Sequence, residues 1–330
     1  MLITSPSDKL VLPLSQQEPS WVNGASELSK SQSRDNLSKL FGEFPIFNID
    51  EIFGENPCEW MTLNNFECGK LIGSGGFADV YLARESKHHS IVVLKVLSKG
   101  NIEVECAEDL LAEILIQAKL EHDNILPVFS FFYDDKNIYL ILEYVADGSL
   151  REHVHDGKSV SELTAARYVA DLVAALDYIH SQDIIHQDLK TENLFLGVTG
   201  NLIVADFGWA ASADNQKHKM CTNSDNVYWA PETYGGLCGK EGDIWALGVL
   251  LYEFLVGTPP FGTKADLFAY ILNRNICIPY PTEKCISDEA KDLISQLLEK
   301  DPNNRISLED IRDHVFMFNN LGNQAPGNTF

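Results

Sequence analysis

A polar stretch between apolar residues carries the first side chains whose types and spacing suggest chemistry. IIHQDLKTENLFL, residues 184–196, contains Asp188, Lys190 and Asn193, and VADFGWA supplies Asp206 shortly afterwards. A positioned carboxylate accepts the proton of a reacting hydroxyl. Amide and carboxylate oxygens suit Mg²⁺, a hard cation that is usually bound by one or two protein ligands together with phosphates. We therefore predict Asp188 as a general base and Asn193 and Asp206 as metal ligands, although an Asp-Phe-Gly tripeptide taken alone is more often an ordinary turn.

A glycine-rich stretch lies earlier in the chain. GSGGFADV, residues 73–80, falls between two predicted strands and contains Gly73, Gly75 and Gly76. Glycines let a backbone approach phosphate oxygens closely and donate N–H groups to them. An ordinary hairpin also explains a strand–glycine–strand pattern, so the stretch alone leaves both interpretations open.

A lysine, Lys95, interrupts the apolar strand VVLKVL. Burying a lysine is costly unless a carboxylate pairs with it, and Glu113 on the following predicted helix can supply that carboxylate. The alternative is a lysine on an edge strand whose amine reaches solvent.

Two groups of elements must position these residues. Runs rich in β-branched and aromatic residues come first, and they predict five strands with one helix, near 106–120, between the third and the fourth. The strand-like runs are 66–73, 78–85, 90–97, 125–133 and 137–144. After Gly148 the apolar spacing becomes mostly helical. The strongest helical runs are 163–180 and 243–256, and short β runs remain at 194–196 and 202–205. The sequence thus predicts an α+β fold with a small five-stranded β lobe and a larger, mostly α-helical lobe.

The composition narrows the class of protein. With 45% hydrophobic residues among 330, the chain has enough apolar material for a sizeable core. The seven cysteines are scattered and form no C-x-x-C pair, so we predict neither a disulfide framework nor a zinc site and expect a reducing compartment, cytoplasmic or nuclear. The N-terminus lacks the pattern of a secretory signal. The longest apolar stretch, IWALGVLLYEFLVG, contains Glu253 and is too short to span a membrane, so we predict a buried helix.

The formal net charge of −23 belongs mainly to the part of the chain that we expect to fold. Such a surface repels nucleic acid and anionic membranes and favours basic polypeptide partners. Simple solubility accounts for the charge about as well.

Taken together and in this order, the motifs resemble those of eukaryotic protein kinases. The spacing H-x-D-x-K-x-x-N at 186–193 is that of the kinase catalytic loop, and APE at 230–232 and DIWALG at 243–248 follow. The resemblance covers 66–316 and implies the bilobal kinase fold. Lys190 is the choice of kinases that modify serine and threonine.

Several segments make the chain most similar to the Aurora kinases. They are YLILEY, ADFGW, HDNIL, LGVLLYEFLVGTPPF and AKDLISQLLEKDPNNR. Trp209 after the DFG is the most specific mark, and Gln117, four residues after Glu113, matches a glutamine of that family. The resemblance implies an ATP-dependent protein serine/threonine kinase with a role in cell division, at the mitotic spindle or on chromosomes.

The resemblance also implies which residues bind ATP and Mg²⁺. The ATP-binding residues would be Gly73, Gly75, Gly76, Val80, Val93, Lys95, Leu142, Glu143, Val145 and Phe195. The catalytic residues would be Asp188, Lys190, Lys95 and Glu113, and the Mg²⁺ ligands would be Asn193 and Asp206. Val93 stands where the family has alanine, which predicts an adenine pocket narrower by two methyl groups, although plain strand packing also explains a valine there.

We predict three parts along the chain. An N-terminal extension, residues 1–60, is mostly disordered and ends in an aromatic, acidic segment, 41–60. The kinase domain, 61–317, consists of a small lobe, a hinge and a large lobe, and a short tail follows it. The limits are 61–142 for the small lobe, 143–147 for the hinge, 148–317 for the large lobe and 318–330 for the tail.

The arginine of the kinase catalytic loop is replaced by Gln187. In the family that arginine pairs with a phosphothreonine of the activation segment, helped by two further arginines. Those two positions hold Ala112 and His218 here, and the threonine maps to Met220 or Cys221. Two interpretations remain open. A working kinase that has lost its phospho-switch is favoured because the catalytic residues are retained, and the alternative is a pseudokinase scaffold that binds nucleotide or protein partners.

The resemblance finally implies partners. Glu192 matches the acid with which basophilic kinases bind an arginine shortly before the acceptor Ser or Thr, and Asp147 is placed to help, although Glu192 could simply be exposed to solvent. We expect a monomer that binds no nucleic acid and no membrane. An activating protein is expected to dock on the small lobe. We expect residues 41–60 to pack on the small lobe in cis and to substitute for part of the activating protein's role. The alternatives are that they form a disordered tether or that they bind another protein.

Overall fold

Five strands between Phe66 and Glu143 form one antiparallel sheet. In the computed structural model the strands are β1 (Phe66–Ser74), β2 (Ala78–Glu85), β3 (Ile91–Ser98), β4 (Val128–Tyr133) and β5 (Asn137–Glu143). Their order across the sheet is β1-β2-β3-β5-β4, and each neighbouring pair is antiparallel. The predicted five-stranded sheet is therefore confirmed.

The described residues fall into two compact units. The structure describes residues 61–75, 78–98, 100, 114, 116–134, 136–212, 226–273 and 276–322. The sheet unit comprises the described residues of 61–100 and 128–144, and the helical unit comprises those of 114–127 and 145–322. Of the predicted helix near 106–120, Ile114 and residues 116–119 are described and are helical. The extension 1–60, with its segment 41–60, lies outside the described residues, and the predicted lobe and hinge limits stay predictions.

The fourth strand is shorter than its apolar run, 125–133, predicts. Ile125 and Leu126 belong to the helical unit, where the Leu126 N–H donates to the Val204 carbonyl at 2.8 Å and Ile125 forms a β-bridge with Val204. Pro127, the next residue, has no N–H to donate to a strand ladder. The strand consequently begins at Val128.

The two faces of the sheet differ in character, because successive strand side chains point to opposite faces. On one face a cluster of buried apolar residues includes Tyr81 and Leu94, which are paired across β2 and β3. Rings of Phe66, Phe132 and Tyr139 stack in this cluster, with centroids 5.6 and 4.6 Å apart. The full cluster consists of Phe66, Tyr81, Ala83, Val92, Leu94, Val96, Phe132, Tyr139 and Ile141. The strand neighbours of these residues therefore form the opposite face, on which Val93, Leu140 and Leu142 are buried as well.

The helical unit is built around two long helices. Its α-helices are α1 (Glu162–Ser181), α2 (Lys240–Val256), α3 (Lys264–Leu272), α4 (Asp288–Leu297), α5 (Leu308–Asp313) and α6 (Val315–Leu321). Its short strands are β6 (Ile184–Ile185), β7 (Leu194–Leu196), β8 (Leu202–Val204) and β9 (Ala211–Ser212). Ser161 caps α1 by accepting a hydrogen bond from the Thr164 N–H, which satisfies one of the free donors at a helix start. The helices predicted at 163–180 and 243–256 and the β runs near 194–196 and 202–205 are all present.

The centre of the helical unit is α2. Every residue from Asp243 to Val256 is buried, as predicted for the longest apolar stretch of the sequence. Gly257, at φ 92°, ends the helix in the left-handed conformation that glycine adopts at low cost. In the described part of the chain, no helix is both long and apolar enough to cross a bilayer.

A glycine sets the distance between α2 and α4. A Cβ placed on Gly248 would lie 2.7 Å from the Cβ of Leu297 and 2.9 Å from Cδ2 of Leu298. Real Cβ atoms do not approach neighbours so closely, because packed interiors leave no such overlap. At this point the backbone of α2 therefore packs directly against the side chains of Leu297 and Leu298.

Candidate functional site

The backbone of the loop that carries Asp188 is hydrogen-bonded to a buried carboxylate on α2. Asp243 accepts hydrogen bonds from the backbone N–H groups of His186 and Gln187, each at 2.9 Å, and lies 2.9 Å from Nε2 of His180. Burial works to raise the pKa of Asp243, but the hydrogen bond and charge of His180 outweigh it and hold the pKa below its usual range. Gln187 has a left-handed backbone, with φ 65°. The backbone of the loop is therefore held by Asp243, and the Gln187 side chain takes no part in that contact.

The residues predicted around Asp188 come together. The Lys190 ammonium donates to Asp188 Oδ2 at 2.6 Å, and the Asn193 amide donates to the same oxygen at 2.9 Å and to the Asp188 carbonyl at 2.8 Å. Asn226 donates to the other carboxylate oxygen, Oδ1, at 3.3 Å. The carboxylate is buried and held on both oxygens, so its orientation is defined before any substrate arrives.

The β7–β8 hairpin brings the two predicted metal ligands to one end. Leu194 pairs with Val204, and the Ala205 N–H donates to the Asn193 carbonyl at 2.9 Å. Asp206 follows directly and has a left-handed backbone at φ 62°. Non-glycine residues in that conformation are uncommon and often belong to functional sites.

The donor set at this end of the hairpin fits Mg²⁺. Both amide hydrogens of Asn193 point to Asp188, which leaves the amide oxygen Oδ1 as the side-chain atom that can bind a cation. Asp206 adds a carboxylate. Within the described residues no group of three or more His, Cys, Asp and Glu side chains has metal-binding geometry, and a Mg²⁺ ion that shares its shell with phosphates needs no such group.

Phe207 shows why the DFG stretch is more than a surface turn. Its side chain is fully buried, and its ring meets the ring of His186 edge to face at a centroid distance of 4.8 Å. His186 Nε2 also lies 3.3 Å from the Ala205 carbonyl. These contacts connect the catalytic loop to the segment that carries Asp206.

In the sheet unit, four of the residues predicted to bind ATP share the face opposite the apolar cluster. Val80 pairs with Lys95, and Val93 pairs with Leu142. Since directly opposed residues of antiparallel strands point to the same face and residues two apart do as well, these four side chains line one surface. Glu143, the last residue of β5, is exposed and pairs with Val92 of the apolar cluster, so its side chain lies on the other face. The strand register therefore places Val80, Val93, Lys95 and Leu142 on the same surface of the sheet.

The described residues of the glycine-rich stretch, 73–75 and 78–80, lie at the end of β1 and the start of β2. Gly73 pairs with Val80, and a Cβ on Gly73 would lie 3.5 Å from the Val80 Cβ. The Gly75 N–H donates to the Ala78 carbonyl at 2.9 Å, and the Ser74 hydroxyl donates to Asp79 at 2.7 Å. Both the hairpin and the phosphate-binding interpretations of this stretch remain compatible with this geometry.

The remaining predicted residues divide between described and undescribed parts. In the helical unit, Val145 accepts a hydrogen bond from the Gly148 N–H at 3.3 Å, and Phe195 forms a β-bridge with Ser149. Asp147 is exposed. Gly76 and Glu113 lie outside the described residues. So do the positions discussed for the phospho-switch, Ala112, His218, Met220 and Cys221.

Sequence reasoning missed residues that reach the site from far along the chain. Asn226 binds Asp188 across a separation of 38 residues, and Asp243 binds the loop backbone across 57. Glu232 of the APE stretch is held by Arg305, with Nη1 and Nη2 at 2.6 and 3.1 Å from its oxygens. Glu232 and Asp243 belong to the APE and DIWALG motifs, but the motifs did not indicate which groups these residues contact, and Asn226 carried no signal beyond being a polar residue beside an apolar stretch.

One family profile and several known proteins match most of the chain. The profile of the protein kinase domain matches residues 66–317. Serine/threonine-protein kinase Aurora-1 of Arabidopsis thaliana is 42% identical over 261 residues, which cover 78% of this chain and 88% of that protein. Aurora kinase B of Mus musculus is 41% identical over 269 residues, covering 81% and 77%. Aurora kinase of Schizosaccharomyces pombe is 38% identical over 304 residues, covering 90% and 84%.

Proposed function

Because the chain belongs to the Aurora family of protein serine/threonine kinases, we propose that it phosphorylates arginine-containing protein substrates without needing a phosphate on its own activation segment. As a protein kinase it uses ATP and Mg²⁺. The observation that carries the proposal is the Asp188 carboxylate, which Lys190, Asn193 and Asn226 hold on both oxygens. A carboxylate oriented in this way is what proton transfer from a serine or threonine hydroxyl requires.

In the proposed mechanism each residue has one role. Asp188 accepts the proton of the substrate hydroxyl. Lys190 donates a hydrogen bond of 2.6 Å to Oδ2 and so holds the Asp188 carboxylate in one orientation. Asn193 Oδ1 and Asp206 would hold Mg²⁺, which when bound neutralises charge on the phosphates. Lys95 on the sheet face would bind phosphate oxygens, paired with Glu113.

Independence from activation-segment phosphate is proposed from two observations. Gln187 replaces the cation that would receive such a phosphate, and Ala112 and His218 stand where the family has further arginines. The backbone of Gln187 is nonetheless anchored to Asp243. A loop held through its backbone N–H groups has less need of a phosphate bound to its side chain.

The proposed arginine preference has its own test. Glu192 precedes Asn193 and is about half exposed, with 44% of its side chain accessible. A peptide series that moves one arginine through the residues before the acceptor serine would show the preferred position. Substitution Glu192→Gln is expected to remove the preference, and a series preferring acidic or proline-containing peptides would refute it.

Kinetics of the full chain test the activity itself. Protein expressed in bacteria and treated with phosphatase is expected to phosphorylate a basic serine peptide with Mg²⁺-ATP, and Asp206→Asn is the inactive control. Loss of turnover on phosphatase treatment would refute independence from phosphorylation. Nucleotide binding without turnover, equal to that of Asp206→Asn, would instead establish the pseudokinase scaffold.

Two further parts of the proposal concern the protein's setting. An activating protein, or residues 41–60 in cis, docks on the small lobe, and the chain acts in cell division. Deletion of residues 1–60 is expected to lower turnover, whereas unchanged turnover and melting temperature would refute cis docking. Expression of Asp206→Asn in dividing cells is expected to disturb division if the second part holds.

A further inference from the structure

An arginine of this chain already occupies the carboxylate proposed to receive the substrate arginine. Arg151 Nη1 lies 3.4 Å from Glu192 Oε1. The two residues sit in separate single turns, Leu150–Glu152 and Thr191–Asn193. A β-bridge between Ser149 and Phe195 brings these turns together, so the pair is built into the fold of the helical unit.

A second carboxyl group lies close to this pair. Glu253 on α2 is buried and accepts a hydrogen bond of 2.5 Å from the hydroxyl of Tyr228. Burial raises the pKa of Glu253 to about 7. The hydrogen bond from Tyr228 opposes that rise, the charge of Glu192 adds to it, and the charge of Arg151 opposes it. The positive charge of Arg151 therefore acts on both Glu192 and Glu253.

We propose that Arg151 is a specificity-determining residue that competes with the arginine of a substrate for Glu192. This inference rests on the arginine preference proposed above. The resident guanidinium must leave Oε1 before a substrate guanidinium can bind both oxygens of Glu192, and affinity for arginine-containing substrates is lowered accordingly. A substrate without that arginine leaves the Arg151–Glu192 pair intact.

The geometry makes such an exchange feasible. The contact is a single one at 3.4 Å, and the Arg151 and Glu192 side chains are 50% and 44% exposed. Exposed ion pairs of this kind contribute little to stability. A substrate guanidinium that meets the carboxylate with two parallel hydrogen bonds forms a stronger pair. The resident arginine therefore weakens substrate binding without blocking it.

Substitution Arg151→Gln tests the competition. The Michaelis constant for the preferred arginine peptide is expected to fall about two- to fivefold, the range set by an exposed ion pair. That for the same peptide with alanine in place of its arginine should not change. Arg312→Gln is the matched control, because Arg312 forms a similarly exposed pair with Asp177, at 2.9 Å, in the same unit. It should change neither constant.

A double substitution makes the test specific to Glu192. Because coupled residues give non-additive effects, Arg151→Gln is expected to have no effect in a Glu192→Gln background. An unchanged constant for Arg151→Gln, an equal change for both peptides, or an effect that persists with Glu192→Gln would overturn the proposal. If Glu192→Gln removes the arginine preference while Arg151→Gln changes nothing, this inference alone fails. If the wild type treats the two peptides alike, the preference on which it rests fails.

Discussion

The contact of Gly248 with α4 gives a sharp test of how the helical core is packed. Substitution Gly248→Ala places a methyl group 2.7 Å from the Leu297 Cβ, and that atom belongs to the start of a side chain on a helix and cannot swing away. Overpacking a core usually costs about 1–3 kcal/mol, whereas replacing a helical glycine by alanine gains about 0.5–1 kcal/mol. We expect a net loss of up to about 2.5 kcal/mol in the free energy of unfolding.

The same helix offers a matched control. In Gly242→Ala the nearest atom to the new Cβ is the hydroxyl of Thr233, at 3.8 Å, an ordinary contact. This variant keeps the gain in helix propensity without the clash, so its free energy of unfolding should rise by about 0.5–1 kcal/mol. The two variants are therefore expected to change stability in opposite directions.

Urea unfolding of the full chain, followed by circular dichroism at 222 nm, measures both changes. The long helices lie in the helical unit, so this signal follows that unit. Midpoints should be compared with slopes held equal, because a changed slope would indicate a change in the denatured state. A Gly248→Ala protein as stable as Gly242→Ala would refute the close packing of α2 against α4.

Three further predictions concern the site. Asn226→Ala, which frees Oδ1 of Asp188, is expected to lower kcat about two- to tenfold with little change in the Michaelis constant for ATP, and an unchanged kcat in steady-state assays would contradict it. Asp188→Asn should lower kcat by about 10²–10⁴ while nucleotide binding, measured by calorimetry, persists. The pKa of Glu253 rises from 4.5 to about 7 on folding. Between these two pH values the native protein binds more protons than the unfolded one. The free energy of unfolding therefore falls as pH rises through this range, by a total on the order of 3 kcal/mol. Glu253→Gln, which can still accept the Tyr228 hydrogen bond, should remove that part of the fall between about pH 4.5 and 7, and equal pH slopes in denaturant titrations of both proteins would refute it.

Local patterns account for what the sequence predicted well. The strands of the sheet are short runs rich in β-branched and aromatic residues, and the α2 stretch is apolar on every side, so each follows from residues close together in the chain. The same holds for Asp188, Lys190 and Asn193, whose contacts span at most five residues. Spacing alone was enough to group them.

Contacts between distant residues account for what was missed. Ile125 and Leu126 look like the start of β4, but they pair with Val204 instead, and periodicity carries no information about that partner. The same limit applies to Asn226 and Arg151, since a single polar residue does not reveal which distant group it will meet. Such pairings depend on the tertiary fold, which brings distant segments of the chain together.

The anchoring of the catalytic loop to Asp243 has a consequence for the protein's motions. The amide hydrogens of His186 and Gln187 bind a carboxylate that is 1% exposed, on the most buried helix of the helical unit. Amides of this kind exchange with solvent only when the structure around them opens. Their hydrogen exchange should therefore be as slow as that of the α2 backbone itself, and heat should abolish the active geometry only at the temperature at which that unit melts.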